Sequence, residues 1–304
     1  MNTKSQGMLY LAILSVIWGA SFLLIKIAVG SIAPFALATA RMAVGAICLY
    51  LLLKIRGDGM PRIGREWIPF VVLGVSYALL PAILISIGEK SMSSGLTSVL
   101  NSTVPIMTVI LAHFLVDEKL TADRAIGIAA GFVGVVIVLL PDLGSTSKAS
   151  LMGPIAVFLA SLLIAVATIY ARKYLKGVSP IVTSTGMMAT AAIMGLPLAI
   201  IFEQPLQMRP STDSLLALVA LGVFCSAIAY LLYYWLVANR GATYASLVMF
   251  TQPVVAVILA AIVVADTVPL TTIVGMAIIL LSLAIMNGFL DRLFHHPAMT
   301  SSAS

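Results

Sequence analysis

Ten runs of about twenty apolar residues, parted by short polar or Gly/Pro-bearing breaks, dominate this chain: 8–29, 34–54, 67–88, 94–116, 122–140, 151–173, 179–202, 212–237, 243–264 and 270–290. An α-helix rises ~1.5 Å per residue, so about 20 residues cross the ~30 Å of hydrocarbon in a bilayer. In lipid each backbone must satisfy its own hydrogen bonds, so runs of this length read as transmembrane helices. Composition agrees: 61% of the 304 residues are hydrophobic and 9% charged, against roughly 25% charged in soluble domains. The fold class expected is an all-α polytopic membrane protein of ten transmembrane helices. The connections are too short to hold a soluble domain.

The net charge of +6 is spread over short loops without a basic stripe or interleaved aromatics, so no nucleic-acid partner is expected. Sorting Lys and Arg with the N-terminus inside places twelve on the cytoplasmic side, among them Lys54, Arg56, Arg62 and Arg65, and four outside: Lys26, Lys90, Lys148 and Arg209. This positive-inside bias predicts that both termini are cytoplasmic. The first run is too long for the core of a signal peptide and reads as an uncleaved helix. Cys48 and Cys225 lie within apolar runs and form no metal-ligand or disulfide pattern.

A shift of 148 residues lays Pro105 on Pro253, Glu118 on Asp266 and Gly127 on Gly275, in one order and with one spacing. The repeating unit is then five helices, giving halves 1–145 and 146–290 and a cytoplasmic tail, 291–304. Five is odd, so the second half enters the membrane from the opposite side, an arrangement typical of secondary transporters. Duplication in a membrane enzyme or scaffold is the alternative.

Several of these residues carry a family resemblance. Trp18-Gly19-Ala20-Ser21-Phe22 looks like the WG-x-S-F signature of the ten-helix EamA-like family of the drug/metabolite transporter superfamily. The two Pro–acid–Gly stretches are similar to that family's paired signatures, and Arg41-Met42 stands where the family has Arg-Phe. The resemblance covers nearly the whole chain. It implies secondary export of small metabolites across a bacterial inner membrane by alternating access. General character is nearest to the family's YddG-type exporters of aromatic and other neutral amino acids. Paraquat-like cations or nucleosides are the alternative substrates.

A solute path needs polar or aromatic groups at mid-membrane depth. In the fourth run, Ser94, Ser98, Ser102, Pro105 and Thr108 share one helical face, and Asn101 precedes the proline. Their serines suit close helix packing as well as a cavity. Thr251 and Gln252 precede Pro253 in the ninth run. With Trp18, Ser21, Phe22, Tyr77 and Tyr230 they make a candidate substrate pocket of aromatic walls with amide and hydroxyl hooks. Pro105 frees a carbonyl near mid-helix and is expected to bend the fourth helix or expose a polar group, with Pro253 as its structural counterpart in the ninth. Arg41 is an intramembrane charge, read as a gate or ion pair with Lys26 or Glu89, or as a contact to a substrate carboxylate. His113 is the one possible proton site inside a run, with an ordinary packed or snorkelling histidine as the alternative. Gly127 and Gly131 form a GxxxG packing pair. No hydrolase, metalloprotease or nucleotide-binding motif is present, which disfavours an intramembrane enzyme. No cofactor, metal or obligatory protein partner is expected; the expected partners are the lipid bilayer and a small-molecule substrate.

Overall fold

The computed structural model describes residues 3–115, 121–143, 149–175, 177–240, 248–263 and 268–286, and among these the regular structure is helical throughout. The helices are α1 (Thr3–Ala28), α2 (Pro34–Ile55), α3 (Arg65–Ser91), α4 (Ser94–Leu115), α5 (Ala122–Leu143), α6 (Ala149–Tyr174), α7 (Pro180–Glu203), α8 (212–240), α9 (Val248–Val263) and α10 (Leu270–Met286). Seven of these helices contain stretches long and apolar enough to cross a membrane, and α5, α9 and α10 hold shorter apolar stretches. Large apolar side chains such as Ile47, Leu51, Ile193, Leu216 and Ile262 stand more than half exposed around the bundle. Water would penalise such a girdle, whereas lipid does not, so the chain is a multi-pass membrane protein.

The helix starts follow local chemistry. Pro34 and Pro180 open α2 and α7 at a position where a missing N–H costs nothing. Ser211 Oγ accepts from the Ser214 N–H to cap α8, and Ser93 Oγ accepts from the Leu96 N–H to cap α4. Glu118 and Asp266, the acids of the repeated stretches, lie outside the described residues.

Two helices are irregular where the sequence pattern was uniform. In α3, Gly74–Leu79 winds as a π-helix just before Pro81, and in α8 Leu221–Ile228 does the same. A π segment absorbs an extra residue per turn and redirects the side chains beyond it. In α4 the helix stops at Asn101 and restarts at Val104, so Pro105 becomes the second residue of a new helical piece. The expected bend at Pro105 is therefore a break at Ser102–Thr103. Pro253 stays inside a continuous α9.

Six helix pairs pack most extensively: α5 on α10, α3 on α6, α2 on α7, α1 on α8, α1 on α9 and α4 on α6. One tie joins α7 to α2 through a charge. Gln204, with φ of 46°, turns the chain at the end of α7. The Glu203 carboxylate before it accepts from the Phe35 N–H at 3.1 Å and the Ala36 N–H at 2.8 Å. It thus serves the first turn of α2, where both the open donors and the helix dipole favour an anion. Glu203→Ala is expected to cost about 1–2 kcal/mol, seen as a lower melting temperature of the purified protein in detergent. Glu203→Gln should lose less, since its amide oxygen still accepts, and equal melting of all three proteins would refute the tie.

Candidate functional site

A cavity opens at the junction of α1, α2, α3, α4, α6, α8 and α9. Trp18, Ser21, Phe22, Arg41, Tyr77, Asn101, Tyr230 and Gln252 line it, with Ile25, Pro81, Ile85, Ile164 and Met249 among its apolar walls. Its volume is about 110 Å³, room for roughly seven to eleven waters at ~10–15 Å³ each. That suits one small solute and not the ~300–1,000 Å³ of a drug-sized pocket.

The aromatic wall is tied together. The Trp18 indole N–H donates to the Cys225 carbonyl at 3.3 Å, and its ring meets Tyr230 and Tyr233 at centroid distances of 5.8 and 5.4 Å. Tyr77 meets Tyr230 edge-on at 6.2 Å, and the two side chains share a hydrogen bond. Tyr77 lies in the π segment of α3, and Tyr230 follows that of α8, so both irregular turns aim a ring at the cavity. Gly19 lets α1 come this close: a Cβ there would lie 2.6 Å from Val255 Cβ and 2.9 Å from the Gln252 carbonyl oxygen.

Asn101, 8% exposed, and Gln252, 3% exposed, supply the amides. Among the described residues Gln252 Nε2 reaches only the Met249 thioether, at 3.7 Å, and Asn101 Oδ1 is buried with no hydrogen-bond partner. Arg41 is half-buried, and its Nε donates to Ser226 Oγ at 3.0 Å. It is the one charged residue lining the cavity among the described residues.

Other candidates fall elsewhere. Ser98 and Ser102 are fully buried and donate into their own helix, to the Gly95 and Val99 carbonyls, away from the cavity. Thr251 is exposed, and its hydroxyl shares a hydrogen bond with Ser15 across the α1–α9 contact. Pro105 and Pro253 stand behind the lining. Lys26 does not pair with Arg41: its Nζ donates to the Glu89 and Met92 carbonyls at 2.7 and 2.6 Å. Glu89, offered as a partner for Arg41, is fully buried near the end of α3, and its carboxylate accepts from Ser94 Oγ at 3.2 Å. His113 is exposed beside Phe114 and off the cavity. The side chains of Tyr234 and Phe250 lie outside the described residues. A larger cavity of about 490 Å³ near the 55–66 loop is lined by Met60, Phe70, Tyr174 and Val182 with Glu66, and it lacks convergent polar groups.

The residues missed in the sequence are mainly Pro81, Ile85, Ile164 and Met249. One signal was available: Tyr77, Asn101 and Met249 each stand four residues before a proline, Pro81, Pro105 and Pro253.

A many-helix membrane protein with a polar and aromatic cavity at the junction of seven helices is the architecture of a solute transporter. The profile of the EamA-like transporter family matches residues 5–140 and again residues 151–288. An uncharacterized transporter of Archaeoglobus fulgidus is 27% identical over 281 residues, covering 91% of this chain and 96% of its own. The uncharacterized inner membrane transporter YedA of Escherichia coli K12 is 26% identical, over 81% of this chain and 79% of its own. A solved structure, described only as the crystal structure of a protein, superposes with a TM-score of 0.68 at 18% identity, covering 96% of this chain and 99% of that one. The chain belongs to the EamA-like transporter family, and it is a membrane transporter.

Proposed function

We propose that the chain exports neutral amino acids, aromatic ones included, across the bacterial inner membrane by alternating access between two inverted five-helix halves. The observation that carries this reading is the convergence of one carboxamide from each half, Asn101 and Gln252, on a cavity walled by Trp18, Tyr77 and Tyr230. Aromatic faces suit an apolar side chain and the amides suit the polar groups of an amino acid.

The inverted-repeat part of the reading draws support from several features. Under the 148-residue shift, Gly74 in the π segment of α3 falls on Gly222 in that of α8. The helix pairs also map onto one another when the halves exchange: α3–α6 onto α8–α1, and α1–α9 onto α6–α4, with α2–α7 and α5–α10 mapping onto themselves. The family profile matches twice. Such halves exchange roles when a central site opens to one face and then the other.

Among the described residues no carboxylate lines the cavity, which disfavours a site dedicated to cations and a proton bound beside the substrate. Net export then follows the solute gradient. Purified protein in liposomes should exchange labelled phenylalanine or threonine, inhibited by other neutral amino acids and indifferent to an imposed pH gradient. A cysteine placed at Gly59 should be sealed from impermeant thiol reagent in intact cells, as the cytoplasmic orientation requires. Flux blocked by cations alone would reverse the substrate ranking, and uphill accumulation driven by the pH gradient would overturn the uncoupled mechanism.

A further inference from the structure

Two polar deficits line the same cavity on different helix pairs. The first is Arg41. An arginine at membrane depth costs several kcal/mol unless a counter-charge or full hydrogen bonding offsets it. Among the described residues its guanidinium makes one hydrogen bond, from Nε to Ser226, and no acidic side chain lines the cavity with it. The terminal nitrogens, which form the planar fork suited to a carboxylate, are not committed to an ion pair with the protein.

The second deficit lies on the wall built by α4 and α9, which pack together, whereas Arg41 comes from the wall where α2 packs on α8. Asn101 ends the first piece of α4. The N–H groups of Ser102 and Thr103 serve the carbonyls of Ser98, Val99 and Leu100. The next carbonyl in line is that of Asn101, whose helical donor would be residue 105, and Pro105 has no N–H. Met249 stands in the same relation to Pro253 on α9. Asn101 Oδ1 adds a buried acceptor with no partner. A helix C-terminus and carbonyls without donors together form a patch of negative potential at the cavity wall.

We propose that the cavity is a two-ended zwitterion site: Arg41 takes the solute's carboxylate, and Asn101 Oδ1 with the Asn101 and Met249 main-chain carbonyls takes its ammonium. This rests on the reading of the chain as an amino acid transporter and adds to it a polarity and a requirement. Both charged groups must be free on one carbon skeleton, so amides, esters, deaminated acids and decarboxylated amines are rejected. Rejection is strong because a missing group leaves the site's own buried polar atoms unpaired. The aromatic wall of Trp18, Tyr77 and Tyr230 then takes the side chain, which it tolerates broadly.

The test is competition against labelled phenylalanine exchange in proteoliposomes, using phenylalanine, phenylalanine amide, 3-phenylpropionate and phenethylamine. The wild-type protein should prefer phenylalanine at least tenfold over each of the other three. In Arg41→Gln the preference for phenylalanine over its amide should collapse to within about twofold. In Asn101→Leu the preference over 3-phenylpropionate should collapse instead. The wild-type panel needs no variant, so a variant that fails to fold does not shield the proposal. Amide or amine competing as well as phenylalanine removes the Arg41 end, and 3-phenylpropionate doing so removes the ammonium end; either overturns the site. If phenylalanine is exchanged but the panel is flat, this proposal fails and amino acid export stands. If phenylalanine is not exchanged at all, amino acid export itself fails.

Discussion

Gly275→Val should leave little folded protein in the membrane, and what remains should melt far below wild type. A Cβ at Gly275 would lie 2.3 Å from Val138 Cγ2 and 2.7 Å from the Gly134 carbonyl oxygen, while one at Gly134 would lie 2.9 Å from the Gly275 carbonyl oxygen. Each glycine therefore faces the other's backbone, which cannot rotate aside. The helices α5 and α10 must separate along the most extensive helix contact in the protein. Overpacking of this kind costs about 3 kcal/mol or more, and between lipid-embedded helices little else restores the contact. Gly131→Ala provides the contrast. Its new methyl would meet the Ile106 Cδ1 end at 2.3 Å and Ser282 Oγ at 2.9 Å, and both are side-chain tips that can swing away. Thermal melting followed by size-exclusion fluorescence should place Gly131→Ala well above Gly275→Val. Equal stability of Gly275→Val and wild type would contradict the close approach.

The same glycines show what the sequence could convey. Gly127 and Gly131 present a packing motif in one helix, and Gly131 does sit on the α5–α10 contact. The mutual approach, however, is between Gly134 and Gly275, and no single-helix motif pairs residues from opposite halves. Helix positions were legible because apolar run length is set by bilayer thickness. The π segments of α3 and α8 were not, since Gly74–Leu79 and Leu221–Ile228 differ from ordinary helix in hydrogen-bond register and not in hydropathy. The serine stripe of α4 illustrates a second limit. Spacing put Ser98 and Ser102 on one face, but a face can turn toward a neighbouring helix as readily as toward a cavity. Gly95, one turn earlier, packs on Val257 of α9, and Ser98 and Ser102 bond into their own helix while Asn101 lines the cavity. Trp18, Asn101 and Gln252 stood out because an indole or a carboxamide at mid-depth needs a partner that lipid lacks. Ile85, Ile164 and Met249 carried no such signal, being apolar residues among many.

Trp18→Ala should all but abolish transport, and three hydroxyl deletions from the same shortlist should not. The indole is held by its N–H to the Cys225 carbonyl and by contacts with Tyr230 and Tyr233, so truncation removes a cavity wall and loosens α1 from α8 at once. Large-to-small changes at fully buried aromatics cost about 3–5 kcal/mol, an upper bound for the half-buried Trp18. If half of that falls on the bound solute, affinity drops roughly 10- to 100-fold, at 1.4 kcal/mol per tenfold. Trp18→Phe keeps an aromatic face and loses the N–H, so it should fall between the two. Ser98→Ala and Ser102→Ala delete hydroxyls that bond within their own helix, and Thr251→Val deletes one that meets Ser15 across the α1–α9 contact and does not line the cavity. All three should exchange phenylalanine within about twofold of wild type, since removing such a hydrogen bond costs about 1 kcal/mol or less and touches no solute. The comparison is made at matched protein levels in liposomes, with melting temperature as the check on folding. Wild-type exchange by Trp18→Ala, or loss of exchange in the serine variants at normal stability, would move the site to the other face of α4.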